Sequence, residues 1–125
     1  MLLETKNPTP LEIRLSKDKK NLTVTFKSGL IFEYPAEYLR VESPSAEVQG
    51  HGAEEKVTVG GKSMVTITDI KPVGNYAIQI IFSDGHDTGF YTWENLQRLA
   101  LSYDSIWPDY LAALEEKGLS RDFAF

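Results

Sequence analysis

Ser83-Asp84-Gly85-His86-Asp87-Thr88-Gly89 concentrates the chemistry-capable side chains of this 125-residue chain, with Tyr91 and Trp93 just beyond. As a recognition loop it would present a carboxylate and an imidazole. As a hairpin turn, its Asp and Thr side chains would bond to their own backbone. A Ser-His-Asp hydrolase also needs a nucleophile on a strained elbow, and no G-x-S-x-G occurs. His51 and His86, with Asp84, Asp87 or Glu54, have the residue types of a two-His-one-carboxylate iron site. The spacing gives that reading no support, and no metal or other cofactor is expected. Gly60-Gly61-Lys62-Ser63 resembles the end of a phosphate loop. However, Lys56 stands where that motif needs glycine, and a β pattern, Met64 to Ile70, follows where it needs a helix. It reads as a glycine turn entering a strand.

Composition narrows the classes further. The absence of cysteine excludes disulfides, thiolate nucleophiles and cysteine-held clusters. A net charge of −5 argues against nucleic-acid binding, which demands a basic face. Apolar runs are far shorter than the ~20 residues of a membrane helix. No basic region followed by an apolar run opens the sequence, so a cytoplasmic location is expected, with no membrane partner. The basic Lys17-Asp18-Lys19-Lys20 reads as a solvated hairpin tip.

The elements that position these residues follow from periodicity. Leu11, Ile13 and Leu15 alternate with polar residues, as do Leu22, Val24 and Phe26, and LIFEY makes a third strand after Ser28-Gly29. Pro35 opens a short helix, PAEYLRVE. Residues 43–61 lack a period and read mostly as an exposed loop. Strands resume with MVTITDIK and NYAIQIIFS, the latter placing Tyr76, Ile78, Ile80 and Phe82 on one face, and GFYTW follows Asp84-Gly85. Thr92 N-caps a helix carrying Leu96, Leu99, Ala100 and Tyr103. Pro108 is expected to break it from a second helix that bears Tyr110, Leu111 and Leu114 and stops at Gly118, with Trp107 in the core. The predicted class is α+β: a mainly antiparallel sheet of about six strands, a short helix after the third, and two C-terminal helices. Residues 1–10 read as a flexible leader, 11–118 as one domain and 119–125 as a tail. In that tail, Phe123 and Phe125 would suit a partner groove or self-association.

Several of these segments together resemble the gamma-butyrobetaine hydroxylase-like N-terminal domain family. They are Leu11 to Leu15; Tyr38-Leu39-Arg40-Val41 leading into Ser43-Pro44-Ser45-Ala46-Glu47-Val48; Pro72 to Ala77; and Phe82 to Gly89 with Tyr91-Thr92-Trp93. The resemblance spans about residues 9 to 100 and points to small stand-alone bacterial members of unknown role. In the hydroxylase this domain precedes a separate dioxygenase domain holding the catalytic residues, and nothing here resembles that second domain. Related domains are also joined to ATPases of the iron–sulfur carrier type. The resemblance thus implies a non-enzymatic accessory or protein-interaction module. Zinc-bearing members hold the ion with a Cys-x-Cys-x-x-Cys cluster and the His of Asp-Gly-His; the matching positions here are Ser43, Ser45, Val48 and His86. On that basis the zinc site is expected to be lost, with His86 reaching across to the Ser43–Glu47 segment instead. The expected contact surface comprises Arg40, Glu42, Ser43, Ser45, Glu47, Asp84, His86, Tyr91 and Trp93, facing an unidentified protein or a second copy. An accessory to an iron–sulfur carrier ATPase or dioxygenase system, and a small-molecule-binding domain, are the alternatives.

Overall fold

The computed structural model describes residues 4–50 and 56–122. Three antiparallel strands, β1 (Pro10–Leu15), β2 (Asn21–Phe26) and β3 (Ile31–Pro35), form a first sheet in that order. Leu22, Val24 and Phe26 face the core, as period-two alternation requires. Two helices follow, α1 (Ala36–Val41) and the single-turn α2 (Ala46–Gln49). A second antiparallel sheet is built from β4 (Ile67–Val73), β5 (Ala77–Phe82) and β6 (Gly89–Thr92). Helices α3 (Trp93–Leu101) and α4 (Tyr103–Glu116) complete the fold. The α+β class, the six strands, the short helix after β3 and the two C-terminal helices are as expected.

One core cluster takes side chains from both sheets, from α1 and from α3, including Leu22, Tyr34, Leu39, Ile80, Tyr91 and Leu99. The sheets also meet at the backbone, where the Ile67 N–H donates to the Lys19 carbonyl at the tip of the β1–β2 hairpin. Thr92 caps α3 by accepting from the Asn95 N–H at 3.1 Å. Among the described residues no helix is long and apolar enough to cross a membrane.

Five local expectations are corrected. Leu11 is 67% exposed, because a bulge between Pro10 and Glu12 turns it off the face that Ile13 and Leu15 share. Tyr76 lies in the turn before β5 and is exposed, while Met64 precedes β4 and is exposed as well. Pro108 lies inside α4, and the two helices part at Ser102. The backbone hydrogen bond that Pro108 cannot donate would have gone to the carbonyl of Asp104, an exposed residue in the first turn where water can take its place. Finally, the segment after α1 is not an exposed loop: Ser43, Ser45 and Val48 are buried, and the Val57 N–H donates to the Val48 carbonyl. His51 and Glu54, weighed above for an iron site and set aside, and the aromatic pair Phe123 and Phe125 lie outside the described residues.

Candidate functional site

Between the α1–α2 segment and the β5–β6 hairpin sits a sealed polar cluster. His86 is 7% exposed and Ser43 is 0% exposed. Ser43 Oγ lies 2.9 Å from His86 Nε2, and Ser45 Oγ lies 3.4 Å from the same nitrogen. On the other side of the ring, Nδ1 faces Glu47 Oε2 at 3.4 Å. A neutral ring with its proton on Nδ1 matches this arrangement, since a carboxylate only accepts and Nε2 is then free to accept from Ser43. The contact between His86 and the Ser43–Glu47 segment is therefore present. Burial, with the Arg40 charge nearby, holds the imidazole below its usual pKa, although Glu47, Asp84 and Asp87 pull the other way.

The same hairpin carries Asp84, whose Oδ2 pairs with Arg40 Nε at 2.8 Å and with Lys62 Nζ at 2.6 Å. Its Oδ1 accepts from the His86 N–H at 3.0 Å, closing the turn locally. Burial opposes ionisation of Asp84, but the hydrogen bonds from Lys62, the His86 amide and Arg40 outweigh it and bring its pKa to about 2. Glu42, also buried, pairs with Lys56 at 2.7 Å. Gln49 Nε2 donates to the Ser43 carbonyl, and Thr88 Oγ1 donates to Glu47 Oε1.

The structure thus brings together Arg40, Ser43, Ser45, Glu47, Asp84 and His86. The two expected aromatic contact residues take other roles, Tyr91 beneath the cluster beside Ser43 and Trp93 away from it. Tyr91 is fully buried, its hydroxyl donating to the Leu39 carbonyl at 2.5 Å, so its ring faces the core and not a partner. Trp93 is half-buried and donates from Nε1 to the Asn75 carbonyl. Register puts Thr92 beside Ala77 and Gly89 beside Ile80, so Trp93 lies at the opposite end of the β5–β6 ladder from His86. Sequence reasoning missed Lys62, Gln49 and Thr88 as cluster members, and Lys56 as the partner of the expected Glu42. Lys62 follows a glycine turn that carries no local signal of its partner, Asp84 on the β5–β6 hairpin. Beside the cluster an open groove of about 600 Å³ is lined by Lys62, Ser63, Met64, Val65, Ser83 and Asp84, among others.

Fold and site together define a small α+β domain whose polar groups are locked between a buried loop and a hairpin. The chain belongs to the family described as "Gamma-butyrobetaine hydroxylase-like, N-terminal", whose pattern matches residues 13–97. Two proteins solved in solution by NMR share 45% and 41% identity with it, each with a TM-score of 0.81. Those matches cover 94% and 100% of this chain, and 93% of each of the other two. A crystal structure of a DUF971-family protein of unknown function from Acidithiobacillus ferrooxidans ATCC 23270 shares 40% identity. It has a TM-score of 0.61, with 74% of this chain and 92% of that one covered. No curated protein matches the chain.

Proposed function

We propose that this chain is a non-catalytic accessory module that binds another protein and holds no zinc. One observation carries the reading: the side chains that could do chemistry are bonded to one another, with Ser43 and His86 buried and only Glu47 reaching solvent. Ser43, His86 and Glu47 lie in the order of nucleophile, base and orienting acid, yet Ser43 has no surface through which a substrate could approach. The donor set is also wrong for zinc. Nε2 of His86 faces two serine hydroxyls, which stay protonated near neutral pH, and Val48 offers only hydrocarbon. A hydrogen-bonded imidazole then does the bridging that an ion would otherwise do.

What the cluster leaves outside is a surface: Glu47, Asp87 and Thr88 at its rim, and the groove beside it, where Met64 is 65% exposed. Exposed apolar area flanked by fixed charge suits a protein partner. The test is capture from native lysate with the wild-type chain beside a Glu47→Lys, Met64→Asp, Asp87→Lys variant of matched thermal stability. A partner held by the wild type and lost by the variant supports the reading. Identical captures, or none, would remove it, and stoichiometric zinc in the purified chain would remove the metal-free part.

A further inference from the structure

A second recognition surface lies on α1 and α4, and it adjoins the groove beside the His86 cluster through Gly61, Lys62 and Ser63. We infer that Glu37, Trp107 and the Gly60–Ser63 segment form a slot for an extended, arginine-bearing peptide of a partner protein, and that this chain fills the slot with its own Leu119–Asp122.

The segment reverses direction at Gly118, whose φ of +67° favours glycine. There the Leu119 N–H donates to the Leu114 carbonyl at 2.8 Å, and the chain leaves α4. Beyond that turn it is held mostly at the backbone. The Gly61 N–H donates to the Ser120 carbonyl at 2.8 Å and the Ser63 N–H to the Arg121 carbonyl at 3.0 Å. The approach is close enough that a Cβ on Gly60 would stand 2.9 Å from the Ser120 oxygen. Only one side chain of the segment is gripped. Arg121 donates from Nε and Nη2 to the two oxygens of Glu37, at 2.9 and 2.7 Å, and its guanidinium lies 5.4 Å from the Trp107 ring centroid. With the guanidinium in place the Glu37 side chain is 8% exposed, so the pair is shielded on the carboxylate side.

This division of labour is the one by which domains read extended peptides: main-chain donors accept any sequence, and one pocket selects a side chain. A planar fork on both oxygens of one carboxylate, with an aromatic face behind it, selects arginine over lysine. Leu119, Ser120 and Asp122 are exposed, so they add little selectivity. A tethered segment competes at an effective concentration on the order of millimolar, so the cis occupant sets a threshold that a partner must exceed.

The inference deepens the protein-binding reading and rests on it for biological meaning; it shares the Gly61–Ser63 edge of that groove but is read by a different measurement. The probe is a synthetic peptide reproducing Lys117–Asp122, alongside the same peptide with alanine for arginine. Each is titrated into the full wild-type chain and into its Arg121→Ala variant, following the Gly61 and Ser63 amides by NMR. The variant should bind the arginine peptide at least tenfold more tightly than the wild type does, and at least tenfold more tightly than it binds the alanine peptide. Equal affinity for the two peptides, or no binding, would overturn the slot. Equal affinity of wild type and variant would overturn its occupation in cis. Should Arg121→Ala fail to fold, Arg121→Gln keeps a donor for the buried carboxylate and reads the same two ratios. Loss of the peptide effect leaves the lysate experiment standing, and the converse also holds.

Discussion

Gly89, the first residue of β6, provides the sharpest test of how the His86 cluster is sealed. Its backbone is not in the left-handed region, so alanine there carries no conformational penalty beyond sterics. A Cβ would stand 2.6 Å from Ser43 Oγ and 3.0 Å from Tyr91 Cε1. The first contact cannot persist. Either Ser43 swings away and abandons His86 Nε2, costing about 1–3 kcal/mol for an unsatisfied buried group, or β6 shifts against a packed core, costing about 1–3 kcal/mol. Gly89→Ala should therefore destabilise by about 2 kcal/mol, a urea midpoint shift of about 1 M at an ordinary m-value.

The reasoning is tested by removing the atom held responsible. Ser43→Ala alone should cost about 1–3 kcal/mol, because the imidazole loses its nearer hydroxyl. In that background the nearest atom to the new Cβ is Tyr91 Cε1 at 3.0 Å, a contact a small ring displacement relieves. The double variant should thus be more stable than the sum of the singles by about 1–2 kcal/mol, within the coupling that touching residues show. Urea unfolding followed by the fluorescence of Trp93 and Trp107 measures all four chains. If Gly89→Ala costs the same in both backgrounds to within about 0.5 kcal/mol, Ser43 Oγ is not the atom that seals the site.

Two further outcomes follow from the same cluster. His86 has a folded pKa below 6.5, so the unfolded chain binds the proton more readily; its contribution is present in full above pH 6.5 and is lost as pH falls through the folded value. Asp84, brought from 3.8 to about 2, acts in the same direction, its contribution being present above pH 3.8 and lost on acidification towards 2. An NMR titration should find the His86 ring titrating below 6.5, and a ring titrating above that value would refute the assigned environment. Tyr91→Phe deletes the donor to the Leu39 carbonyl and should cost about 1–2 kcal/mol in urea unfolding, since both groups are buried. A cost indistinguishable from zero would mean that the carbonyl finds another partner.

How much of this was legible depended on whether a signal was local. Alternation in Leu22, Val24 and Phe26 survives because β2 is the middle strand of its sheet, paired on both sides in unbroken register except at the edge bulge. Leu11 was misread because a bulge changes facing without changing composition. Pro108 was misread because a proline rule takes no account of how exposed the deprived carbonyl is. Residues 43–49 looked like loop because their order comes from distant partners: Ser43 meets a residue 43 positions away, and Glu47 meets Thr88. No window of local sequence contains that information. The Asp-Gly-His turn itself was legible, since an aspartate bonding the amide two residues on is a local device. That Asp84 also gathers Arg40 and Lys62 is a tertiary fact, as is the bond between Arg121 and Glu37.

The tyrosines show why the cluster's geometry is fixed from both sides. Tyr34 on β3 donates to the Leu96 carbonyl of α3, and Tyr38 on α1 donates to the Leu99 carbonyl of α3 at 2.6 Å. Tyr91 on β6 donates to the Leu39 carbonyl of α1. Leu39 and Leu99 lie in the last turns of their helices, where carbonyls lack an intrahelical donor, so two of these phenols finish helices as well as joining elements. Burial raises all three hydroxyls above their ordinary pKa and keeps them neutral donors. The three bonds tie, in series, the first sheet to α3, α3 to α1, and α1 to the second sheet. Ser43 follows α1 directly and His86 belongs to the hairpin that Tyr91's strand closes, so the bond from Tyr91 to Leu39 fixes both ends of the 2.9 Å contact between them. An aromatic next to a polar loop, which in sequence suggests a contact residue, is here the strut that orients the loop.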